Sequence, residues 1–290
     1  MKIKIGYISL AIAMFLTTGL WAQTLSNFDY TKKQLLNPQD NIVLVAAHRG
    51  PHNKLPENSI ACIQKAIALG VDIIEIDVRV TKDGIAVLMH DDTVDRTTNG
   101  TGEVEKMEFN ALKKLRLLDA DKMVTEETIP TLDKVLQLTK NKIMIDLDLK
   151  VNVKSLKKII AIVKKHKAED YLFFFDSEYR IIKKLNREYP ESRIMTKLYN
   201  NSKHKKSYTV LQPDYIHLAS EEENCSPEFI AMLKSNYGRP IFINALGDID
   251  KLVTKDIKAY DVLIAKGVHI IQTDYPELLL NYLRKTGKHQ

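Results

Sequence analysis

Imidazole, carboxylate and cationic side chains recur where short apolar runs of the sequence come to an end. They are His48 and Arg49, Glu75 and Asp77, His90 and Asp91, Asp146, Asp148 and Lys150, and Asp274. Carboxylates gathered in one place repel one another unless a cation lies between them, and oxygen ligands suit a hard divalent ion, Mg²⁺ or Ca²⁺. Two imidazoles can act as general base and general acid, while Arg, Lys and a metal stabilise phosphate charge. Together these side chains indicate phosphoryl transfer.

The spacing of the carboxylates places them on shared faces. Glu75 and Asp77 are two residues apart in an apolar run, so on a strand they point to the same side. The same argument joins Asp146, Asp148 and Lys150. Surface ion pairing is the ordinary alternative, but it fits poorly for two acids flanked by isoleucine and valine. A metal site is the favoured interpretation.

His48 ends an apolar run, where a histidine with a purely structural role is the ordinary expectation. A second histidine, His90, placed opposite the carboxylates changes that balance. No single pair of these residues is specific for an activity. Their joint position at the ends of strands supports the catalytic interpretation.

The elements that must position these residues alternate between β-rich runs and amphipathic helical stretches. The β-rich runs are 42–48, 73–80, 142–148, 171–176, 193–198, 215–219, 240–245 and 268–273. The helical stretches are 57–69, 132–140, 153–167, 179–189, 227–237 and 249–266. Strands alternating with helices predict an α/β fold with a parallel sheet, and eight of them favour a closed (β/α)8 TIM barrel. The carboxyl ends of barrel strands converge on a single site.

A ninth apolar run, 85–90, follows the second strand too closely to be a parallel neighbour. Asp83-Gly84 lies between the two runs and is a strong hairpin signal. We therefore expect 85–90 to be the return arm of a hairpin, with His90 roughly opposite Asp77. The polar stretch 91–129 then forms an insertion, and residues 23–290 form a single domain.

The first residues resemble a leader rather than part of the fold. Lys2 and Lys4 precede an apolar run that ends near Ala22, as in a secretory signal peptide covering residues 1–22. An uncleaved anchor is the alternative, but the run is shorter than the roughly 20 residues of a spanning helix. Cleavage leaves 41 basic and 37 acidic residues, a net charge of +4. We expect a periplasmic or secreted protein without a stable membrane anchor, whose partners are anionic small molecules or a lipid surface rather than nucleic acid.

Short motifs along nearly the whole mature chain resemble those of the glycerophosphodiester phosphodiesterase family, within the phospholipase-C-like phosphodiesterase superfamily. They are His48-Arg49-Gly50, Pro56-Glu57-Asn58-Ser59, Glu75-x-Asp77-Val78, Thr81-Lys82-Asp83-Gly84, Leu88-Met89-His90-Asp91, Asp95-Arg96-Thr97-Thr98-Asn99-Gly100, Ile129-Pro130-Thr131-Leu132 and Thr273-Asp274-Tyr275-Pro276. Each is short, but this order and spacing are highly specific. The barrel of that family agrees with the strand count.

The resemblance implies roles for individual residues. The catalytic pair is His48 and His90; the metal ligands are Glu75, Asp77 and Asp148; the phosphate contacts are Arg49 and Lys150. Typical members have Glu-x-Lys where this chain has Asp148-Leu149-Lys150. The third ligand is therefore one methylene shorter, and Asp146 competes with it on the same face.

The seventh predicted strand departs from the family pattern. Many members carry Trp-Thr-x-Asn there, facing the substrate, and this chain has Ile243-Asn244-Ala245-Leu246. We predict that Asn244 contacts the substrate. The pocket for the leaving alcohol is then either more polar than usual or lined by Phe242 or Tyr275.

The resemblance implies metal-dependent hydrolysis of small-molecule glycerophosphodiesters to sn-glycerol 3-phosphate and an alcohol, with one divalent ion and two-histidine acid–base catalysis. One alternative is a lipase-like phosphodiesterase acting on lysophospholipid or sphingomyelin-type substrates. Another is a non-catalytic binding barrel, which would need no acid–base pair. The order of the two histidines, the choice between Ca²⁺ and Mg²⁺, the preferred alcohol and the oligomeric state stay open.

Overall fold

A computed structural model describes residues 25–199, 208–218 and 225–290. The leader predicted over residues 1–22 lies outside these ranges. Across the described residues, no helix combines the length and apolar character that crossing a bilayer requires.

Eight parallel strands close into a barrel, and a ninth strand pairs antiparallel at its rim. The strands are β1 (Leu44–Ala47), β2 (Ile73–Val80), β3 (Ala86–Leu88), β4 (Met144–Leu149), β5 (Leu172–Asp176), β6 (Arg193–Leu198), β7 (Tyr215–Leu218), β8 (Ile241–Asn244) and β9 (Ile270–Thr273). Strand β1 pairs with both β2 and β9, which closes the ring. Nearly all of the barrel strands are buried along their length, as expected of strands covered on both faces. The predicted (β/α)8 barrel is confirmed.

Strand β3 is the return arm of the predicted hairpin, but its register differs by one residue. Met89, rather than His90, lies opposite Asp77, and its amide donates to the Asp77 carbonyl at 3.0 Å. The difference arises in the turn of the hairpin. The Thr81 amide donates to the Ile85 carbonyl at 2.9 Å, so the turn is centred on Asp83 instead of between Asp83 and Gly84. The Thr81 hydroxyl strengthens this turn by donating to Asp83 and accepting from the Ile85 amide. His90 therefore follows the end of the pairing, at the mouth of the barrel.

Helices cover the outside of the barrel, apart from one short helix, Phe109–Leu112, which belongs to the insertion. They are α1 (Asn27–Leu36), α2 (Ile60–Leu69), α3 (Phe109–Leu112), α4 (Leu132–Thr139), α5 (Leu156–His166), α6 (Tyr179–Glu188), α7 (Pro227–Tyr237), α8 (Asp248–Val253), α9 (Asp261–Ile264) and α10 (Pro276–Lys285). Ser59 caps α2 by accepting from the Cys62 amide, and Gly70 ends it with a φ of 73°. The single helix predicted over 249–266 is wrong. Asp256 adopts extended backbone and caps a short 3₁₀ turn, so the stretch divides into α8, that turn and α9.

The amino-terminal ends of the strands are closed by contacts from both ends of the described chain. Asp72 is fully buried and accepts hydrogen bonds from the Thr31 hydroxyl, the Val45 amide and the His289 imidazole, each at 2.8 Å. Burial favours neutral His289, but Asp72 outweighs this effect and raises the pKa of the imidazole. These contacts stabilise the end of the barrel opposite the mouth.

Residues 91–129 pack as a small layer against β3. Their apolar side chains join those of Val87 and Met89 in a second core cluster, separate from that of the barrel: Val94, Val104, Leu112, Leu117 and Ile129. Three isolated β-bridges tie the segment to itself, and a fourth joins β3 to Thr131 just after it. The insertion therefore has an apolar core of its own, which holds its polar residues beside the mouth of the barrel.

Candidate active site

Carboxylates from β2 and β4 meet inside the mouth of the barrel. The strand register pairs Glu75 with Asp146 and Asp77 with Asp148, so the four acids form two adjacent rows. Oxygen atoms of Glu75, Asp77 and Asp148 all lie within 4.8 Å of one another. Glu75, Asp77 and Asp146 are almost completely buried. The three residues predicted as metal ligands are thus brought together.

Burial and mutual repulsion make this cluster costly when every carboxyl group is charged. Burial first, and then the charges of Asp77, Asp148 and Asp146, raise the pKa of Glu75 well above its usual value. Burial also raises the pKa of Asp148, although Lys150 opposes the shift. The Lys150 ammonium lies 2.8 Å from Asp148 and 3.6 Å from Asp77. The Lys150 ammonium therefore faces two carboxylates of the cluster. A further positive charge bound among the acids would reduce their mutual repulsion.

The donor set fits a hard divalent cation. Ca²⁺ binds oxygen ligands at about 2.3–2.6 Å, so oxygens on opposite sides of one ion are up to about 5 Å apart. The spacing within the cluster meets that limit. Asp146, the competing ligand, has one buried oxygen without a hydrogen-bond partner, and it is absent from the group of mutually close ligand atoms. Glu75, Asp77 and Asp148 are the three acids that could share an ion.

Asn58 orients Asp77. Its side-chain amide donates to Asp77 Oδ2 at 2.8 Å, and its carbonyl oxygen accepts from the Asp77 amide at 3.1 Å. Asn58 is buried and has a φ of 55°, a left-handed conformation that asparagine tolerates better than most residues. Sequence reasoning did not give Asn58 a role at the site, although its motif contained it.

Arg49 joins the acidic cluster to the loop after β1. Its backbone has a φ of 52°, and its amide donates to Glu75 Oε2 at 2.8 Å. Its guanidinium donates to Glu57 Oε1 at 3.1 Å and lies 3.5 Å from Asp77 Oδ2. Arg49 therefore lies beside the acidic cluster and pairs with Glu57 at the same time.

His48 is held by a carboxylate from the far end of the chain. Its Nδ1 lies 2.7 Å from Asp274 Oδ1. Burial alone would raise the pKa of Asp274, but the hydrogen bond and charge of His48 lower it. The Asp274 amide donates to Asp250 Oδ2, and the Thr273 hydroxyl donates to the other Asp250 oxygen, which fixes this strand end. We did not predict a role for Asp250 from the sequence, because it belongs to none of the motifs described above.

His90 has a matching partner. Its Nδ1 lies 2.7 Å from Asp91 Oδ1. The Arg79 guanidinium on β2 donates twice to the His90 carbonyl, at 2.8 and 3.0 Å. Hydrogen bonding from Arg96, followed by the contact with His90, lowers the pKa of Asp91. Both histidines therefore have Nδ1 engaged by a carboxylate, so Nε2 is the nitrogen that can exchange a proton with a bound molecule.

Asn244 and its neighbours form the opposite wall. Asn244 Oδ1 lies 3.1 Å from Nε2 of His217, a buried histidine on β7. Burial, assisted by Lys197, lowers the pKa of His217 to about 3, so the imidazole is neutral. Phe242 is completely buried in the core, whereas Tyr275 is only partly buried. Of the two aromatic residues expected to line the pocket, Tyr275 is the accessible one.

Asp176 at the end of β5 is a further acidic residue near the cluster. Burial, opposed by a hydrogen bond from the Glu178 amide, raises its pKa to about 7, with a smaller contribution from Asp148. It occupies the last position of a predicted strand, the same signal that pointed to the other site residues. We did not predict it from the sequence.

Comparisons with known proteins agree with this geometry. A sequence model of the glycerophosphoryl diester phosphodiesterase family matches residues 48–242. A glycerophosphodiester phosphodiesterase of Caldanaerobacter subterraneus is 32% identical over 252 residues, which cover 84% of this chain and 99% of that protein. Human glycerophosphodiester phosphodiesterase 1 is 35% identical over 173 residues, 58% of this chain and 44% of that protein.

Solved structures share the fold. The crystal structure of a glycerophosphoryl diester phosphodiesterase from Parabacteroides distasonis has a TM-score of 0.78 and 26% identity, and the match covers 90% of this chain and 93% of that one. A phosphodiesterase of Oleispira antarctica, solved with the product sn-glycerol-3-phosphate, has a TM-score of 0.73 over 84% of this chain and 97% of its own. Its identity of 23% supports the likeness of fold alone.

Proposed function

The chain belongs to the glycerophosphoryl diester phosphodiesterase family, and on that premise we propose that it hydrolyses glycerophosphodiesters to sn-glycerol 3-phosphate and an alcohol. Members of this family are enzymes, and this chain is a phosphoric diester hydrolase. One observation carries the proposal. Two histidine–carboxylate pairs, His48–Asp274 and His90–Asp91, lie at the same barrel mouth as a cluster of carboxylates.

The two histidines act as acid and base. In each pair the carboxylate accepts from Nδ1–H, which leaves the Nε2 lone pair free to take a proton and stabilises the imidazolium that forms. One histidine removes a proton from the attacking hydroxyl while the other donates a proton to the leaving alcohol oxygen. Separate partners let His48 and His90 hold opposite protonation states at the same time.

Glu75, Asp77 and Asp148 would hold one divalent ion, Ca²⁺ or Mg²⁺, which would supply positive charge to the phosphate oxygens. Arg49 and Lys150, which flank the cluster, contact the same phosphate. Arg49 can offer two parallel donors, whereas Lys150 acts as a point charge. Asn244 contacts the substrate from the opposite wall.

The reaction takes place in two steps. The 2-hydroxyl of the glycerol attacks phosphorus, the bond to the alcohol oxygen breaks, and a cyclic phosphate forms. Water then attacks phosphorus and opens the ring, which gives sn-glycerol 3-phosphate. The histidines exchange roles in the second step, so both return to their starting protonation states.

A second candidate is the hydrolysis of intact lysophospholipids. Met123 and Val124 are exposed apolar residues on the insertion, with 65% and 58% of their surfaces accessible. The Lys122 ammonium donates to the Arg96 carbonyl at 3.3 Å, and Arg96 reaches Asp91 at the mouth. An apolar loop at this position could contact an acyl chain. The basic and apolar pattern of residues 1–22 supports export to the periplasm or exterior.

The experiment is an assay of the mature protein with Ca²⁺ or Mg²⁺ across several glycerophosphodiesters and lysophospholipids. We expect release of sn-glycerol 3-phosphate, and His90→Ala should lower kcat by roughly 10²–10⁴-fold. His166→Ala is the matched control, because His166 also pairs with an aspartate but lies on the outer helix α5. Excess EDTA should abolish turnover. Full activity in EDTA would contradict the metal, and near-normal kcat in His90→Ala would contradict the mechanism.

A further inference from the structure

We propose that Arg96, in the insertion, is a positioning residue that holds His90 and Arg49 in place together through Asp91 and Glu57. This inference rests on the proposed function, because it assigns a role within that reaction. It also gives the insertion a part in catalysis. Arg96 itself has no contact with Glu75, Asp77 or Asp148 among the hydrogen bonds and ion pairs of the described residues.

One guanidinium binds two carboxylates at once. Arg96 Nε donates to Asp91 Oδ2 at 2.6 Å and Nη2 donates to Asp91 Oδ1 at 3.0 Å. Toward the other side, Nη1 donates to Glu57 Oε2 at 2.7 Å and Nη2 donates to Glu57 Oε1 at 2.8 Å. Both contacts are bidentate, and only the planar fork of arginine can make two such contacts together.

The carboxylates of Asp91 and Glu57 each contact a second residue, which belongs to the proposed active site. Asp91 Oδ1 also binds His90 Nδ1 at 2.7 Å. Glu57 Oε1 also accepts from Arg49 Nη1 at 3.1 Å, and Arg49 Nε lies 3.5 Å from Asp77. The connection thus joins the histidine after β3 to the arginine after β1. A shift of Arg96 would therefore displace both His90 and Arg49.

The segment that carries Arg96 is itself fixed. Thr97 and Thr98 are both buried. The Thr97 hydroxyl donates to Met89 Sδ at 3.3 Å, and the Thr98 hydroxyl donates to the Val94 carbonyl at 2.8 Å. The partner carboxylate of Glu57 is only 13% exposed, although Arg96 is 40% exposed. Burial would raise the pKa of Glu57, but Arg96 and Arg49 lower it to about 2, so the carboxylate is charged. These features distinguish the pair from an ordinary surface ion pair.

Arg96 also neutralises part of the negative charge that Asp91 presents to His90. The charged groups that act on His90 are Asp91, Arg96 through Asp91, and Asp148 of β4, while Arg79 of β2 binds its carbonyl. Without Arg96, the Asp91 carboxylate would lose both hydrogen bonds from the guanidinium and would hold the His90 imidazole less firmly.

The test compares Arg96→Met, Arg96→Lys and Arg116→Met in the full-length protein. Arg116 is a matched control, because it lies in the same insertion and is 43% exposed, but its guanidinium contacts the carboxylate and the carbonyl of Glu126 instead of a site residue. We expect Arg96→Met to lower kcat by roughly 10- to 100-fold, since misplacement by about 1 Å can cost about 10²-fold. KM should change less than kcat, and Arg116→Met should resemble the wild type. Arg96→Lys should restore only part of the activity, because it keeps the charge without the fork.

A second readout does not require turnover. The Nδ1 proton of His90, followed by NMR in protein labelled at histidine, should shift in Arg96→Met, while that of His48 stays in place. A fall in thermal stability alone, with wild-type kcat and an unchanged His90 signal, would overturn the proposal. Full recovery in Arg96→Lys would overturn the requirement for the fork, and this variant also serves if Arg96→Met does not fold. Absence of diesterase activity in the wild type would instead contradict the proposed function.

Discussion

Replacing Asp274 with asparagine tests the charge that supports His48. The side chain keeps its size, and its backbone amide is held independently by Asp250 Oδ2 at 2.8 Å. The residue should therefore stay at the end of β9 with little change in the fold. What is lost is the negative charge 2.7 Å from His48 Nδ1.

The size of the effect follows from that contact. A hydrogen bond to a charged group contributes about 1.5–3 kcal/mol, and this contribution is greatest while His48 carries the proton. If the loss is confined to the transition state, kcat falls by roughly 10- to 150-fold at about 1.36 kcal/mol per factor of ten. KM should change little, because Asp274 contacts His48 and acts on the substrate only through it.

The assay measures kcat and KM from the release of sn-glycerol 3-phosphate, together with the melting temperature. Asp133→Asn is the control, because Asp133 pairs with His166 at 2.9 Å on the outside of the barrel. It should leave kcat unchanged. A kcat within about twofold of wild type in Asp274→Asn, with an unchanged melting temperature, would refute the role given to this pair.

Two further predictions concern the phosphate contact and the acid stability of the fold. Arg49→Lys should lower kcat/KM by roughly 10-fold or more despite the conserved charge, because lysine cannot make a bidentate contact; unchanged kcat/KM with a lower melting temperature would mean that Arg49 only pairs with Glu57. His217 has a pKa lowered from 6.5 to about 3 by burial, so between these values the unfolded chain takes up a proton that the folded protein does not. Stability should therefore be complete above about pH 6.5 and decline as the pH falls, by about 3 kcal/mol from this group at pH 4.5. His217→Phe should show a shallower acid decline in chemical denaturation than wild type, and equal slopes would contradict this assignment.

Local patterns in the sequence were enough to predict the barrel and the cluster of carboxylates at its mouth. Apolar runs alternating with amphipathic stretches identified the eight strands, because strands buried on both faces must be apolar throughout. The two-residue spacing of Glu75 and Asp77, and of Asp146 and Asp148, correctly placed these acids on shared faces. Asp83-Gly84 identified the hairpin from turn chemistry alone. Each of these signals acts over a few residues, so it can be read without knowledge of the rest of the chain.

Only the tertiary structure decided which side chains meet. Asp274 reaches His48 across 226 positions of the chain, Arg96 reaches Glu57 across 39, and Asn58 reaches Asp77 across 19. The side-chain hydroxyl of Thr81 shifted the centre of the turn, and with it the register that His90 follows. Such contacts depend on how the strands close and how the insertion packs. Because the contacts of Asp274, Arg96 and Asn58 join residues that are distant along the chain, no short pattern in the sequence predicts them.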